Sequence, residues 1–397
     1  MRNAAIVFLS LLLSLAASAQ QPPQPPPPPP QQPPRVPGLG GPVSGLTAAQ
    51  LAAYNDGLGD FTEVESVSAG LGPVFNERSC VACHRAGAPG GGSARNVTRF
   101  ATRTNGAFDP LTNLGGSLLQ DHAIGPQDGS THPFRPERVP QAATIVVHRR
   151  TTPLFGLGFV DATPDSVFLS MAGRGDTPGR VNLVDNIRAG MKTVGKFGWK
   201  AQVPSLVQFA GDAYLNEMGI TSPDFPNENC PQGNCAELAF DPAPGINDDG
   251  SGVAALAQFM TMLNAPPRGT QTKDTNDGEA LFDRAGCASC HVATLHTGAS
   301  SVDALDHKAY HPYSDFLLHD MGSLADGLEM GDGKGNEMRA APLWGIRFVN
   351  TYLHDGRALT LDQAIVAHDG QARIARDRYN AMSPAQKSKV IAFLQSL

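Results

Sequence analysis

A 397-residue chain with a formal charge of −7 and no Lys/Arg cluster lacks the basic stripe that nucleic-acid binding requires. Its 43 glycines, 33 prolines and 7% aromatic content describe long loops around a thin aromatic core. No apolar run is long enough to span a bilayer, so the chain reads as not membrane-spanning.

Residues 1–19 have the form of a signal peptide. Arg2 opens it, Ile6 to Leu15 make a short apolar run, and Ala17-Ser18-Ala19 offers a cleavage site near Ala19. The expectation is a periplasmic or secreted protein. Residues 20–45 follow as a Pro/Gln-rich tether, because Gln20 to Pro37 have almost no apolar surface to bury. Thr47 with Gln50 then forms a helix-capping pattern.

Cys80-Val-Ala-Cys83-His84 and Cys287-Ala-Ser-Cys290-His291 are both C-x-x-C-H, the attachment signal of c-type haem. Two cysteines three apart on a helical turn each form a thioether to a vinyl group, and the next residue turns an imidazole to the iron. A redox thiol pair does not need that histidine, and a zinc site of two C-x-x-C arms would leave it redundant. Two copies in one chain therefore predict two covalently bound haem c groups. Cys230 and Cys235 have no following histidine and read as a short-loop disulfide, with a redox-active bond as the alternative.

The contexts of the two motifs are alike. Val74 to Ser79 precedes the first, Leu281 to Gly286 the second, and apolar helices at 253–263 and 390–397 close each half. Thr360 with Gln363, and Ser383 with Pro384 and Gln386, mark further helix starts. The predicted fold is mainly α: two cytochrome c-like helical domains with long loops and a few minor β-strands. The first spans 46–264 with a large insertion from about Gly87 to Asn247, including a β-like run at 143–148. The second spans 271–397, after the turn-rich linker Asn264 to Thr270.

With these motifs stand Leu71-Gly-Pro-Val-Phe-Asn76, Lys196-Phe-Gly-Trp-Lys200, Asn216-Glu-Met-Gly-Ile-Thr221, Ala341-Pro-Leu-Trp-Gly345 and Tyr352-Leu-His-Asp-Gly356. Together they resemble the dihaem c-type oxidoreductases labelled thiol oxidoreductases, relatives of the bacterial dihaem cytochrome c peroxidases. The resemblance implies a catalytic trio. Glu217 is the acid/base at the first haem, Gln208 places peroxide, and Trp199 relays electrons between haems. Met218 is a rival ligand to the first iron. At the second haem the family places a methionine after a T-L-x-x-A-V string; here Thr360-Leu-Asp-Gln-Ala-Ile-Val-Ala leads to His368. His291 and His368 would then ligate the second iron, with His354 and Met321 as rivals and His319 as a loop-holding residue. His122, His132 and His148 read as ordinary loop or surface histidines.

The implied activity is reduction of hydrogen peroxide or another small oxidant, with electrons from a small redox donor protein. A pure electron carrier with both irons closed, or a dioxygen-using haem oxygenase, are the alternatives. Asp248-Asp-Gly-Ser-Gly252 and Asp332 to Glu337 have calcium-like oxygen spacing without completing an EF-hand loop.

Overall fold

The computed structural model describes residues 38–397, so the signal-peptide expectation and the tether up to Pro37 lie outside the described residues. From Leu39 the chain is already packed. Leu39 and Val43, which composition assigns to the tether, are buried, and the Val43 N–H donates to the Met262 carbonyl at 2.8 Å. Two apolar side chains four residues apart give this short stretch an area to bury.

In chain order the helices are α1 (Ala48–Thr62), α2 (Cys80–Cys83), α3 (Leu157–Asp161), α4 (Asp165–Met171), α5 (Leu206–Ala213), α6 (Ser251–Met262), α7 (Lys273–Ala285), α8 (Leu361–Val366), α9 (Arg373–Asn380) and α10 (Pro384–Leu394). Among the described residues none is long and apolar enough to cross a membrane. The fold is mainly helical with some strands. Those that bear on the site are β1 (Val74–Phe75), β2 (Asn96–Thr104), β3 (Ala107–Asp109), β4 (Ser117–Leu118), β5 (His122–Ala123), β6 (Ile145–Arg150), β7 (Leu183–Asn186) and β8 (Met191–Val194). β2 is the centre of a small antiparallel sheet and pairs with β3, β4 and β6, while β7 and β8 form a hairpin.

Two helix pairs are built to one plan. Gly57 of α1 lies so close to α6 that a Cβ would stand 2.1 Å from the Ala255 carbonyl oxygen. One turn on, Phe61 meets Phe259 with ring centres 4.7 Å apart. Gly278 of α7 lies against α10 in the same way, 2.0 Å from the Lys389 carbonyl, and Phe282 meets Phe393 at 5.3 Å. The missing side chain lets the backbones approach, and the ring four residues on fills the space beside the crossing. Each pair anchors its own core. Tyr54, Leu71, Phe75 and Leu256 surround the first, and Leu281, Tyr313, Tyr379 and Leu397 the second. Capping boxes at Thr47 and Ser383 start α1 and α10 where the sequence pattern places them.

Candidate functional site

Each C-x-x-C-H motif follows the first helix of its pair. α7 ends at Gly286, whose φ of 94° turns the chain sharply into Cys287. The His291 ring then lies 6.2 Å from Phe282 at 53°, and the His84 ring lies 6.1 Å from Phe61 at 56°. The two motifs thus present their imidazoles in the same pose. Burial pushes the Cys80, Cys83 and Cys287 thiols up to about 12, the reverse of what a reactive redox thiol pair needs. Cys230 and Cys235 are joined as a disulfide.

At the second motif His291 Nδ1 faces the Tyr313 carbonyl oxygen at 2.9 Å, and His368 Nδ1 faces the Ala364 carbonyl oxygen at 2.8 Å. Both Nδ1 atoms therefore carry the hydrogen, assigned from their acceptors, and both Nε2 atoms keep a lone pair. The ring centres are 6.5 Å apart. Two metal–imidazole bonds of about 2 Å, with the half-ring beyond each nitrogen, span about 6 Å. A haem iron fits that gap. Burial, with a contribution from His368, pushes His291 down to about 4, and burial lowers His368 too, leaving both in the neutral form that binds metal. A cavity of about 580 Å³ opens beside them, lined by Cys287, Cys290, Trp199 and Leu343 among others, a size typical of cofactor sites. Arg150, Arg339, Arg373 and Arg376 bring positive charge to its walls, matching the carboxylates of a haem.

The other side chains around this cavity have partners of their own. His319 Nε2 pairs with Asp315 at 2.9 Å while Nδ1 faces Cys290 Sγ at 3.5 Å, so neither nitrogen is free to ligate. His354 is buried edge-on to Trp199 with ring centres 6.2 Å apart. Met321 lines the same cavity. Trp199 Nε1 donates to the Arg150 carbonyl at 2.9 Å. Two residues along the chain, the Thr152 carbonyl lies beside the His84 ring. The segment running on from β6 therefore connects the indole to the first motif, while the indole itself lines the second site.

The first motif has a different companion. His84 is pushed down to about 4 by burial, with the Thr152 and Gly91 carbonyls beside it, yet its buried Nδ1 makes no hydrogen bond of good geometry. Glu217 lies close enough to act electrostatically on both Cys80 and Cys83. Its backbone carbonyl accepts from Asn76 N–H at 2.7 Å, and its Oε2 accepts from Asn76 Nδ2 at 2.8 Å. Glu217 sits on a π-turn, Tyr214–Met218, that continues α5; such turns recur where a helix places a functional side chain. Burial raises its carboxyl pKa, opposed by the Asn76 hydrogen bond and Arg99 and reinforced by Asp212. An imidazole for an iron, two thiols and a buried carboxyl together fit a haem site with an acid/base group.

Gln208 is held elsewhere. Its Nε2 donates to the Asp185 carbonyl at 2.9 Å and its Oε1 accepts from Ile187 N–H at 3.0 Å, so both ends of the amide brace the β7–β8 hairpin. Asp248 caps α6, accepting from the N–H groups of Gly252 at 2.9 Å and Gly250 at 3.1 Å. Asp332 pairs with Lys192 and Glu337 with Arg180. Among the described residues no group of three or more His, Cys, Asp or Glu is arranged around a metal position. His122 and His132 pair with Asp121 and Glu237, and His148 with Thr98.

A buried charge cluster beside Trp199 escapes sequence reasoning. Asp326 Oδ2 accepts from Arg149 Nε at 2.8 Å and Oδ1 lies 3.1 Å from Lys200 Nζ. Lys200 also donates to the Lys334 and Glu337 carbonyls, at 3.0 and 2.5 Å. This ties the 326–339 segment to the residue that follows Trp199. The one trace of this in the sequence is a lysine directly after the tryptophan.

The sequence matches the family described as "Di-haem oxidoreductase, putative peroxidase" over residues 135–397. No curated protein sequence matches it. Among solved structures it is similar to hydrazine synthase of Kuenenia stuttgartiensis, with 13% identity over 98% of this chain and 100% of that one and a TM-score of 0.40. It is similar also to a MauG-like protein associated with microbial copper homeostasis, with 15% identity, 92% of each chain and a TM-score of 0.40. The diheme peroxidase BthA from Burkholderia thailandensis gives 15% identity over 62% of this chain and 78% of that one, with a TM-score of 0.33. The sequence match, spanning about two thirds of the chain, is what settles the family: this chain belongs to the di-haem oxidoreductases and is a haem-dependent redox enzyme.

Proposed function

We propose that the chain is an exported, periplasmic peroxide reductase carrying two covalently attached c-type haems, one on each of two cytochrome c-like helical domains, 46–264 and 271–397. Cys80 and Cys83 would attach the first haem, with His84 as its ligand. Cys287 and Cys290 would attach the second, between His291 and His368. The disulfide at Cys230–Cys235 supports an oxidising compartment. The observation that carries the reading is the asymmetry of the two motifs. The second faces a second imidazole at ligand distance, while the first has a buried carboxyl for company.

Haem iron supplies the one-electron chemistry by which hydrogen peroxide, two electrons and two protons become two waters. Glu217 takes a proton from one peroxide oxygen and returns it to the other as water leaves. Asn76 holds that carboxyl in place by donating to Oε2. Trp199, hydrogen-bonded to the Arg150 carbonyl, is a rigid aromatic bridge between the sites. Electrons arrive one at a time from a small redox donor protein.

Electron paramagnetic resonance of the ferric protein, titrated with hydrogen peroxide, tests this. One low-spin signal and one high-spin signal that responds to peroxide are expected. Two low-spin signals indifferent to peroxide, in the ferric and the half-reduced protein alike, would mark an electron carrier instead.

A further inference from the structure

The Glu217 carboxyl stands at one end of a run of hydrogen bonds that starts in the Cys230–Cys235 loop. Asn76 Nδ2 donates to Glu217 Oε2 at 2.8 Å, and the other end of that amide, Oδ1, accepts from the Asp121 N–H at 3.2 Å. An amide oxygen engaged by an N–H leaves its NH2 end for the carboxylate, so the Asp121 backbone fixes which way Asn76 points. The neighbouring Gln120 donates from Nε2 to the Asn216 carbonyl at 3.2 Å, inside the π-turn that carries Glu217. Residues 120 and 121 therefore hold both the amide that meets the carboxyl and the backbone that presents it.

Glu137 in turn holds residue 120. Its Oε2 accepts from the Gln120 N–H at 2.9 Å, and its own N–H donates to the Gln120 carbonyl at 2.9 Å. Its Oε1 accepts from the Gln232 N–H at 2.7 Å. Glu137, Gln120 and Asn76 are all buried, so these bonds are shielded from competing water. Gln232 lies between the two joined cysteines with a φ of 49°, a left-handed conformation that a non-glycine residue keeps only where its surroundings impose it. The next residue, Gly233, is seated so closely on the insertion that a Cβ would stand 2.2 Å from the Asn113 carbonyl oxygen. The closed loop and its seat turn the Gln232 N–H towards Glu137.

We propose that Glu137, braced by the disulfide loop, is a positioning residue of the first haem site. It fixes the backbone at 120 and 121, and through it the orientation of Asn76 and of the Glu217 carboxyl. This rests on the acid/base role proposed for Glu217. Glu137 acts through Gln120, Asp121 and Asn76 and does not touch substrate. The Cys230–Cys235 disulfide then serves the reaction as the outer anchor of this run, and its loss is felt at the first haem and not at the second.

The test combines paramagnetic resonance of the ferric holoprotein with steady-state peroxide kinetics. Glu137→Gln keeps the shape but turns an NH2 group towards one of the two N–H donors. It is expected to broaden or split the high-spin signal of the first haem and to leave the low-spin signal of the second as in wild type. It should lower kcat by about 10–100-fold with the KM for peroxide unchanged. Replacing both cysteines together, Cys230→Ser with Cys235→Ser, should act in the same direction, and it tests the proposal independently if Glu137→Gln folds poorly. In a Glu217→Gln background, Glu137→Gln is expected to bring no further loss of kcat. An equal loss in both backgrounds would show that Glu137 only supports the fold, and the proposal would be wrong. It is also wrong if Glu137→Gln, with both haems bound, keeps the wild-type signal and kcat, and Glu217 then stands without it. If Glu217→Gln itself leaves turnover unchanged, the role of Glu217 fails first and takes the positioning role with it.

Discussion

His291 and His368 face each other with ring centres 6.5 Å apart, each steered by an Nδ1 hydrogen bond to a backbone carbonyl. Because the acceptors are main-chain atoms, each ring is held through Nδ1 and keeps its Nε2 lone pair for a metal. Orientation of a ligand by its second hydrogen bond tunes as well as places it. If both imidazoles ligate the iron as proposed, ferric iron is favoured and this centre is expected to have a lower potential than a His/Met haem.

His368→Met is therefore expected to raise the potential of the second haem by on the order of 100 mV. His368→Gly should convert its low-spin resonance to high-spin. A redox titration monitored by absorbance, with paramagnetic resonance on the same samples, checks both. Unchanged values in both variants would show that His368 is not the ligand.

Glu217→Gln keeps the Asn76 contact in shape but removes the proton acceptor, and should slow peroxide turnover by about 10²–10⁴-fold. The sign of the pH dependence follows from the raised carboxyl. The base form exists above that value, so turnover falls as pH drops through it, at a higher pH than an ordinary carboxylate would give. Steady-state rates across pH with an artificial electron donor measure this. In Glu217→Gln that limb should be absent.

The twin helix crossings can be broken one at a time. Gly57→Ala would push a Cβ to 2.1 Å from the Ala255 carbonyl, and Gly278→Ala to 2.0 Å from that of Lys389. Each overpacking should cost about 1–3 kcal/mol. The cores are separate, so the damage is expected to be local. Gly57→Ala should perturb the first haem spectrum and Gly278→Ala the second.

Asp326→Asn leaves Arg149 and Lys200 buried without a carboxylate, and is expected to cost about 3–5 kcal/mol in urea unfolding. Burial alone would raise the Asp326 carboxyl, but Arg149 and Lys200 more than reverse it and hold it below the usual carboxylate range. Its contribution is therefore full above the unfolded carboxyl's pKa and is lost as pH falls through the folded value. The variant should be less stable at neutral pH and show a shallower acid limb.

Much of this site is legible in the chain order alone. Cys80 to His84 and Cys287 to His291 are local, so five consecutive residues specify what a haem edge and iron need. His368 is suggested by the family resemblance of the eight-residue string before it. Thr47 with Gln50 and Ser383 with Gln386 are equally local, and their capping boxes stand where the pattern puts them. The strand written as 143–148 runs Ile145–Arg150, a shift of two residues set by pairing with β2.

Contacts between distant segments were not legible. Asn76 reaches Glu217 across 141 residues, and Arg149 reaches Asp326 across 177. Gln208 carries a peroxidase-like position in the sequence, yet its amide is engaged with the β7–β8 backbone at 185 and 187. A side chain's type and spacing state what chemistry it can do. Its partner, its burial and hence its protonation depend on which remote backbone is packed against it. The sequence by itself carries two C-x-x-C-H motifs, and only its resemblance to a family points to His368. The tertiary structure decided that the first motif is met by a buried carboxyl and the second by an imidazole, because only chain packing brings residues so far apart within a few ångströms.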